Sequence, residues 1–102
     1  MDLYRIIDPQ LARRAAAERW TIFTEWGDAP ARFFYISGSL PGDCFQISID
    51  PPEAEAIAIT ARSVDTDHGL EFEQTWRGTT AGFGDALELA IQRVEAWKRR
   101  ET

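Results

Sequence analysis

Three runs in the middle of the chain, FQISID, EAIAITARSV and LEFEQTWR, place apolar residues at every second position. A period of two turns successive side chains to opposite faces of a strand, so each run reads as a strand with one buried and one wet face. In the first, Phe45, Ile47 and Ile49 share a side, with Gln46, Ser48 and Asp50 on the other. Ile57, Ile59 and Ala61 keep step in the second. In the third, Leu70, Phe72 and Trp76 are expected inward, and Glu71, Glu73, Thr75 and Arg77 outward. Pro51-Pro52 ends the first run, because neither residue can donate to a ladder. Asp67-His68-Gly69 reads as a hairpin turn between the last two runs. Upstream, TIFTEW and RFFYIS are aromatic and β-branched, and are followed by the turn signals Gly27-Asp28-Ala29-Pro30 and GSLPGD. Short connections favour antiparallel neighbours. The expectation is an antiparallel meander of four or five strands, with TIFTEW (21–26) as its first strand, a continuation of the preceding helix, or an irregular edge.

Helices are expected on both sides of this meander. Asp8-Pro9 suits a helix start, with Asp8 as N-cap and Pro9 at the first helical position. QLARRAAAERW continues it to about Trp20, with Leu11, Ala12, Ala15, Ala16 and Trp20 able to share one side. At the other end Phe83, Leu87, Ala90, Ile91, Val94 and Trp97 recur at spacings of three and four, which is one helical face. Asp85 and Glu88 lie in its first turns and Lys98, Arg99 and Arg100 in its last, as the helix dipole prefers. The fold class is therefore α+β: a short N-terminal helix, the meander, and a C-terminal amphipathic helix on one face of the sheet.

At 102 residues the chain suits a single domain spanning 1–102, long enough to bury a core without metals or disulfides. Its lone cysteine, Cys44, forbids an internal disulfide. MDLYRIIDPQ lacks the basic start and apolar run of a secretory leader, and no apolar stretch is long enough for a bilayer. A cytoplasmic location is expected. The net charge of −6 is uneven: residues 25–73 sum to −8 and each flank to +1.

No motif carries a catalytic assignment. RGTTAGFGDALELA supplies Gly82 and Gly84, but a dinucleotide loop needs a third glycine where Leu87 stands, and a strand after the helix. Asp85 follows Gly84 where a phosphate loop needs Lys and Ser/Thr, and its carboxylate would repel an anion. The expected role of this stretch is local. Gly78 ends the strand, Thr79 or Thr80 caps, and the helix starts near Gly84 after an ordered 79–83 loop. In DTDHGLEFE the glycine comes one position early for a calcium loop, and Trp76 holds the place of its closing glutamate. Cys44 and His68 would be the natural nucleophile–base pair, but nothing in the sequence brings them together. Neither cofactor nor metal is expected. The helix–strands–helix order resembles the double-stranded-RNA-binding domain, yet the basic helix start of that domain is replaced by GFGDALEL. With acidic strands between small basic spots, direct nucleic-acid binding is not expected.

Twelve aromatic residues in a chain of this size, four of them tryptophan, are a further constraint. In RFFYIS the consecutive aromatics must face both sides of a strand, so one pair points away from the helix-covered face unless the first helix covers the second face. Aromatic side chains are enriched at interfaces. The expected function is a small acidic protein-binding module, of the inhibitor or immunity type, that engages a basic surface of another protein. The residues expected to carry it are Trp26, Asp28, Phe33, Tyr35, Asp43, Asp50, Glu53, Glu55, Asp65, Asp67, Glu71 and Glu73. A homodimer burying its own aromatics, or a small-ligand-binding domain, is the alternative.

Overall fold

The structure, a computed structural model, describes residues 4–39, 42–64 and 72–99. The expected turn at Asp67-His68-Gly69, with Asp65 and Glu71, lies outside the described residues. Helix α1 (Asp8–Glu18) is followed by strands β1 (Phe23–Trp26), β2 (Ala29–Ser37), β3 (Cys44–Ile49), β4 (Ala56–Ser63) and β5 (Glu73–Thr79). A 3-10 turn (Thr80–Gly82) then leads into α2 (Phe83–Lys98). The strands form one open antiparallel sheet in the order of the chain, β1-β2-β3-β4-β5. The α+β class and the meander therefore hold, with TIFTEW contributing the fifth strand over its last four residues.

The register lines the apolar positions up in rows. Phe34 stands opposite Ile47 and Ile47 opposite Ala61. Ile36 pairs with Phe45, and Ile49 with Ile59, which in turn faces Trp76. These side chains join Tyr4, Ile7 and Leu11 from the N-terminal segment and Phe83, Leu87, Ile91 and Val94 from α2 in one continuous core. Both helices thus lie on the same face of the sheet. Gly84 lies against α1: a Cβ there would stand 3.2 Å from Gln10 Oε1. Arg14 of α1 bonds Glu88 of α2 at 2.6 Å. Among the described residues the other sheet face is left without a helix.

Four local expectations are corrected. Asp8 is not the N-cap; Ile7 holds that place, with no side-chain cap. The Asp8 carboxylate accepts instead from Arg32, at 2.8 and 3.0 Å. Ala12 and Ala16 are exposed, because the buried stripe runs Ile7, Leu11, Ala15 at steps of four. That stripe is extended after a left-handed C-cap at Arg19, φ +62°. There Trp20 turns back, its N–H bonding Ala15 O at 2.9 Å and its ring stacking on Phe34 with centroids 4.8 Å apart. Finally α2 starts at Phe83, one residue before Gly84, and the preceding segment is a 3-10 turn. Thr79 caps that turn as expected, accepting from Gly82 N–H at 3.3 Å. The glycine-rich stretch is used for backbone and helix packing, and Thr80 N–H ties it to the β3–β4 connection through Glu55 O at 2.8 Å.

Trp97 closes the far end of the core. Its ring stacks on Phe72 at 5.2 Å and on Phe45 at 6.1 Å, and it is 4% exposed. Trp97→Ala removes a large buried surface from three elements at once and is expected to cost about 3–5 kcal/mol. Urea unfolding of wild type and variant measures the loss, and an unchanged midpoint would sink this packing.

Candidate functional site: the uncovered sheet face

Side chains that alternate away from the helices cover the second face in rows across the strands. Phe33, Ser48, Thr60 and Thr75 form one row, and Tyr35, Gln46, Arg62 and Glu73 the next. From β3 to β5 the face is polar, held by cross-strand contacts. Thr60 and Thr75 hydroxyls lie 2.9 Å apart, and Gln46 Nε2 donates to the Tyr35 hydroxyl at 3.3 Å. Arg62 stands 4.0 Å from Glu73.

Along β1 and β2 the same face is aromatic. Phe33 is nearly buried at 7% exposure, although no helix covers it. Phe23 stacks on its ring at 5.2 Å, while Trp26 and Tyr35 meet it edge-on at 5.6 and 6.0 Å. Such offset and T-shaped contacts suit the ring quadrupoles. The surrounding rings take the exposure instead: Trp26 68%, Phe23 43% and Tyr35 38%. Phe23 and Trp26 are three residues apart, a spacing that a regular strand would send to opposite faces. Yet both rings meet Phe33, across a pairing that shifts register between Phe23 and Glu25. There Thr24 alone on β1 stands opposite two residues of β2, Ala31 and Arg32, so the extra residue of this β-bulge lies on β2.

Arg32 holds that bulge. It occupies a helix-facing position of β2, in register with Ile49. Its guanidinium bonds the Thr24 carbonyl at 3.2 Å, the Ala31 carbonyl at 2.7 Å and both Asp8 carboxylate oxygens. It also lies 4.2 Å from the centre of the Tyr4 ring. The Tyr4 hydroxyl donates to Ile49 O at 3.1 Å. Burial raises the Tyr4 pKa above the ordinary tyrosine value; Arg32 opposes the rise, and Asp50 and Asp8 add to it. One cation therefore links the N-terminal turn, α1, β2 and the irregular edge strand.

The acids expected to bind a partner divide by position. Glu25 and Asp28 are exposed beside Trp26, on β1 and in the β1–β2 turn. Asp50, Glu53 and Glu55 are exposed after β3, at the same end of the sheet. Glu73 is exposed at the opposite end, beside Arg62. Asp43 does not join the exposed acids: it is buried at 6% in the β2–β3 hairpin, where its backbone carbonyl accepts from Gly38 N–H at 2.9 Å. A Cβ on Gly38 would collide with the Asp43 side chain, so only glycine closes this hairpin. Asp65, Asp67 and Glu71 lie outside the described residues, as does His68, so the Cys44–His68 juxtaposition has no geometry here. Cys44 opens β3, half-buried, with its thiol 3.9 Å from the Phe45 carbonyl.

Sequence reasoning passed over Phe23, Arg32 and Tyr4 as parts of this site. A cleft of about 540 Å³ adjoins the aromatic cluster at Phe23 and Tyr35, and continues past Trp20 to Glu95 and Lys98 near the end of α2. Among the described residues no helix is long and apolar enough to cross a membrane. The chain matches no protein-family model, no curated protein and no solved structure.

Replacing Arg32 by methionine keeps the stem but removes the guanidinium. Asp8 then loses its cation and the Thr24 carbonyl loses a donor. Arg32→Met is expected to lose about 2 kcal/mol, below the range for a fully buried pair because Asp8 is partly solvated. Chemical denaturation gives that number, and amide shifts of β1 should move more than those of β4. A loss spread evenly over the sheet would contradict the local role.

Proposed function

We propose that this protein is a small partner-binding module, and that its aromatic face along β1 and β2 docks on a basic surface of another protein. The observation that carries this reading is the ring cluster around Phe33, whose outer members Trp26, Phe23 and Tyr35 remain open to solvent on a face that no helix covers. Exposed contiguous aromatics are costly to keep in water, and a hot spot is commonly built from such rings. Glu25 and Asp28 flank the cluster, with Asp50, Glu53 and Glu55 at the same end of the sheet. Rings beside carboxylates suit arginine in particular, since a guanidinium stacks on an aromatic face while it pairs with a carboxylate. The net charge of −6 would speed encounter with such a partner. An inhibitor or immunity-type role fits, with the partner's basic surface blocked by occupancy.

Affinity capture with wild type and with a Phe23→Ser/Trp26→Ser variant, each at low and high salt, tests this. The expected outcome is a basic protein, identified by mass, that wild type holds at low salt. It should be lost at high salt and from the variant. Retention indifferent to both the rings and the salt would refute the proposal.

A further inference from the structure

The two edges of the sheet differ. β1 is four residues long and pairs with β2 across a bulge, both of which discourage pairing with another chain. β5 is seven residues long, has no proline, and keeps an unbroken register with β4 from Arg62↔Glu73 to Ala56↔Thr79. Its outer side meets no strand among the described residues.

The direction of its backbone groups follows from two bonds. Ser63 N–H donates to Phe72 O at 2.9 Å, and Thr80 N–H to Glu55 O at 2.8 Å. Antiparallel alternation then turns residues 74, 76 and 78 toward β4 and Glu73, Thr75, Arg77 and Thr79 outward. Those outward N–H and C=O groups form a regular, exposed ladder of donors and acceptors.

We infer that β5 pairs antiparallel with β5 of a second copy, about a two-fold axis at Thr75. In this register Thr75 faces its own equivalent, and Glu73 faces Arg77 of the second copy, twice by symmetry. All three outward pairs exchange backbone hydrogen bonds, and opposite charges stand directly across the ladder. The neighbouring registers lack this match. An axis at Glu73 or Arg77 sets like charges opposite one another, and one at Gln74 or Trp76 puts a threonine across from Glu73 and pairs no opposite charges within the described residues. On the helix side Gln74 is exposed and Trp76 only half-buried. The pairing places each Trp76 opposite Gln74 of the second copy, covering both. Such an isologous contact closes on itself and joins the two sheets into one. The aromatic clusters lie at its two outer ends, so this pairing is independent of the partner surface proposed above.

Sedimentation velocity across a concentration range tests the register. Wild type should form a dimer as concentration rises. Arg77→Glu and Glu73→Arg should each weaken it by roughly tenfold or more, because two like-charge pairs replace two opposite ones. An equal mixture of the two variants should recover a dimer, since each altered edge meets the complementary one. The double variant Glu73→Arg/Arg77→Glu should also self-associate. Thr75→Pro should abolish pairing while leaving the β4 ladder intact, because the lost N–H points outward; circular dichroism checks that each variant is folded. A wild type that stays monomeric throughout, a dimer indifferent to the single changes, or a mixture that stays monomeric overturns the inference.

Discussion

Two helices close one face of the sheet and neither reaches the other, so side chains that alternate outward from β1 to β5 are covered only by one another or by water. This follows from where the apolar surface lies. Phe34, Ile36, Phe45, Ile47, Ile49, Ile57, Ile59 and Ala61 form a single dry layer. The stripes of α1 and α2 are narrow, and each is satisfied by that layer. With α1 beside α2, as the Gly84–Gln10 approach and the Arg14–Glu88 pair require, both helices lie on one face and neither covers the far side. What stands on that side is explained by solvent from β3 to β5, where it is Ser, Thr, Gln and charged. Along β1 and β2 solvent does not explain it.

The aromatic cluster sits on an irregular pairing. Phe23 and Trp26 both meet Phe33 where β2 carries one residue more than β1 between Phe23↔Phe33 and Glu25↔Pro30. Arg32 is one of the two β2 residues that stand opposite Thr24 in this bulge, and its guanidinium bonds the Thr24 carbonyl. An arginine at a core-facing strand position is expensive unless its donors are met. Here Asp8, Thr24 and Ala31 meet them and the Tyr4 ring covers the guanidinium. The polar network under the sheet therefore fixes the shape of the apolar cluster above it.

Much of this was legible in the sequence. The period-two runs placed β3 and β4, the three-four spacing placed α2, and adjacent aromatics in RFFYIS required one pair to face away from the helices. What could not be read depends on contacts between distant residues. Asp8 looks like a helix cap from its neighbours and is instead the counter-ion of a strand arginine 24 positions on. Asp43 looks like a surface acid in a turn and is buried against Gly38. The bulge lies across the hairpin, at Ala31–Arg32 of β2, and leaves no signature in TIFTEW. The acids, contiguous in charge along the chain, separate in space because successive strand ends alternate between opposite ends of the sheet.

Phe23 and Trp26 share the uncovered face with Phe33. Aromatic nuclear Overhauser contacts test it most directly. The Phe33 ring should show contacts to both Phe23 and Trp26 and none to Leu11 or Leu87. Contacts from Trp26 or Phe33 to the helices would contradict the placement.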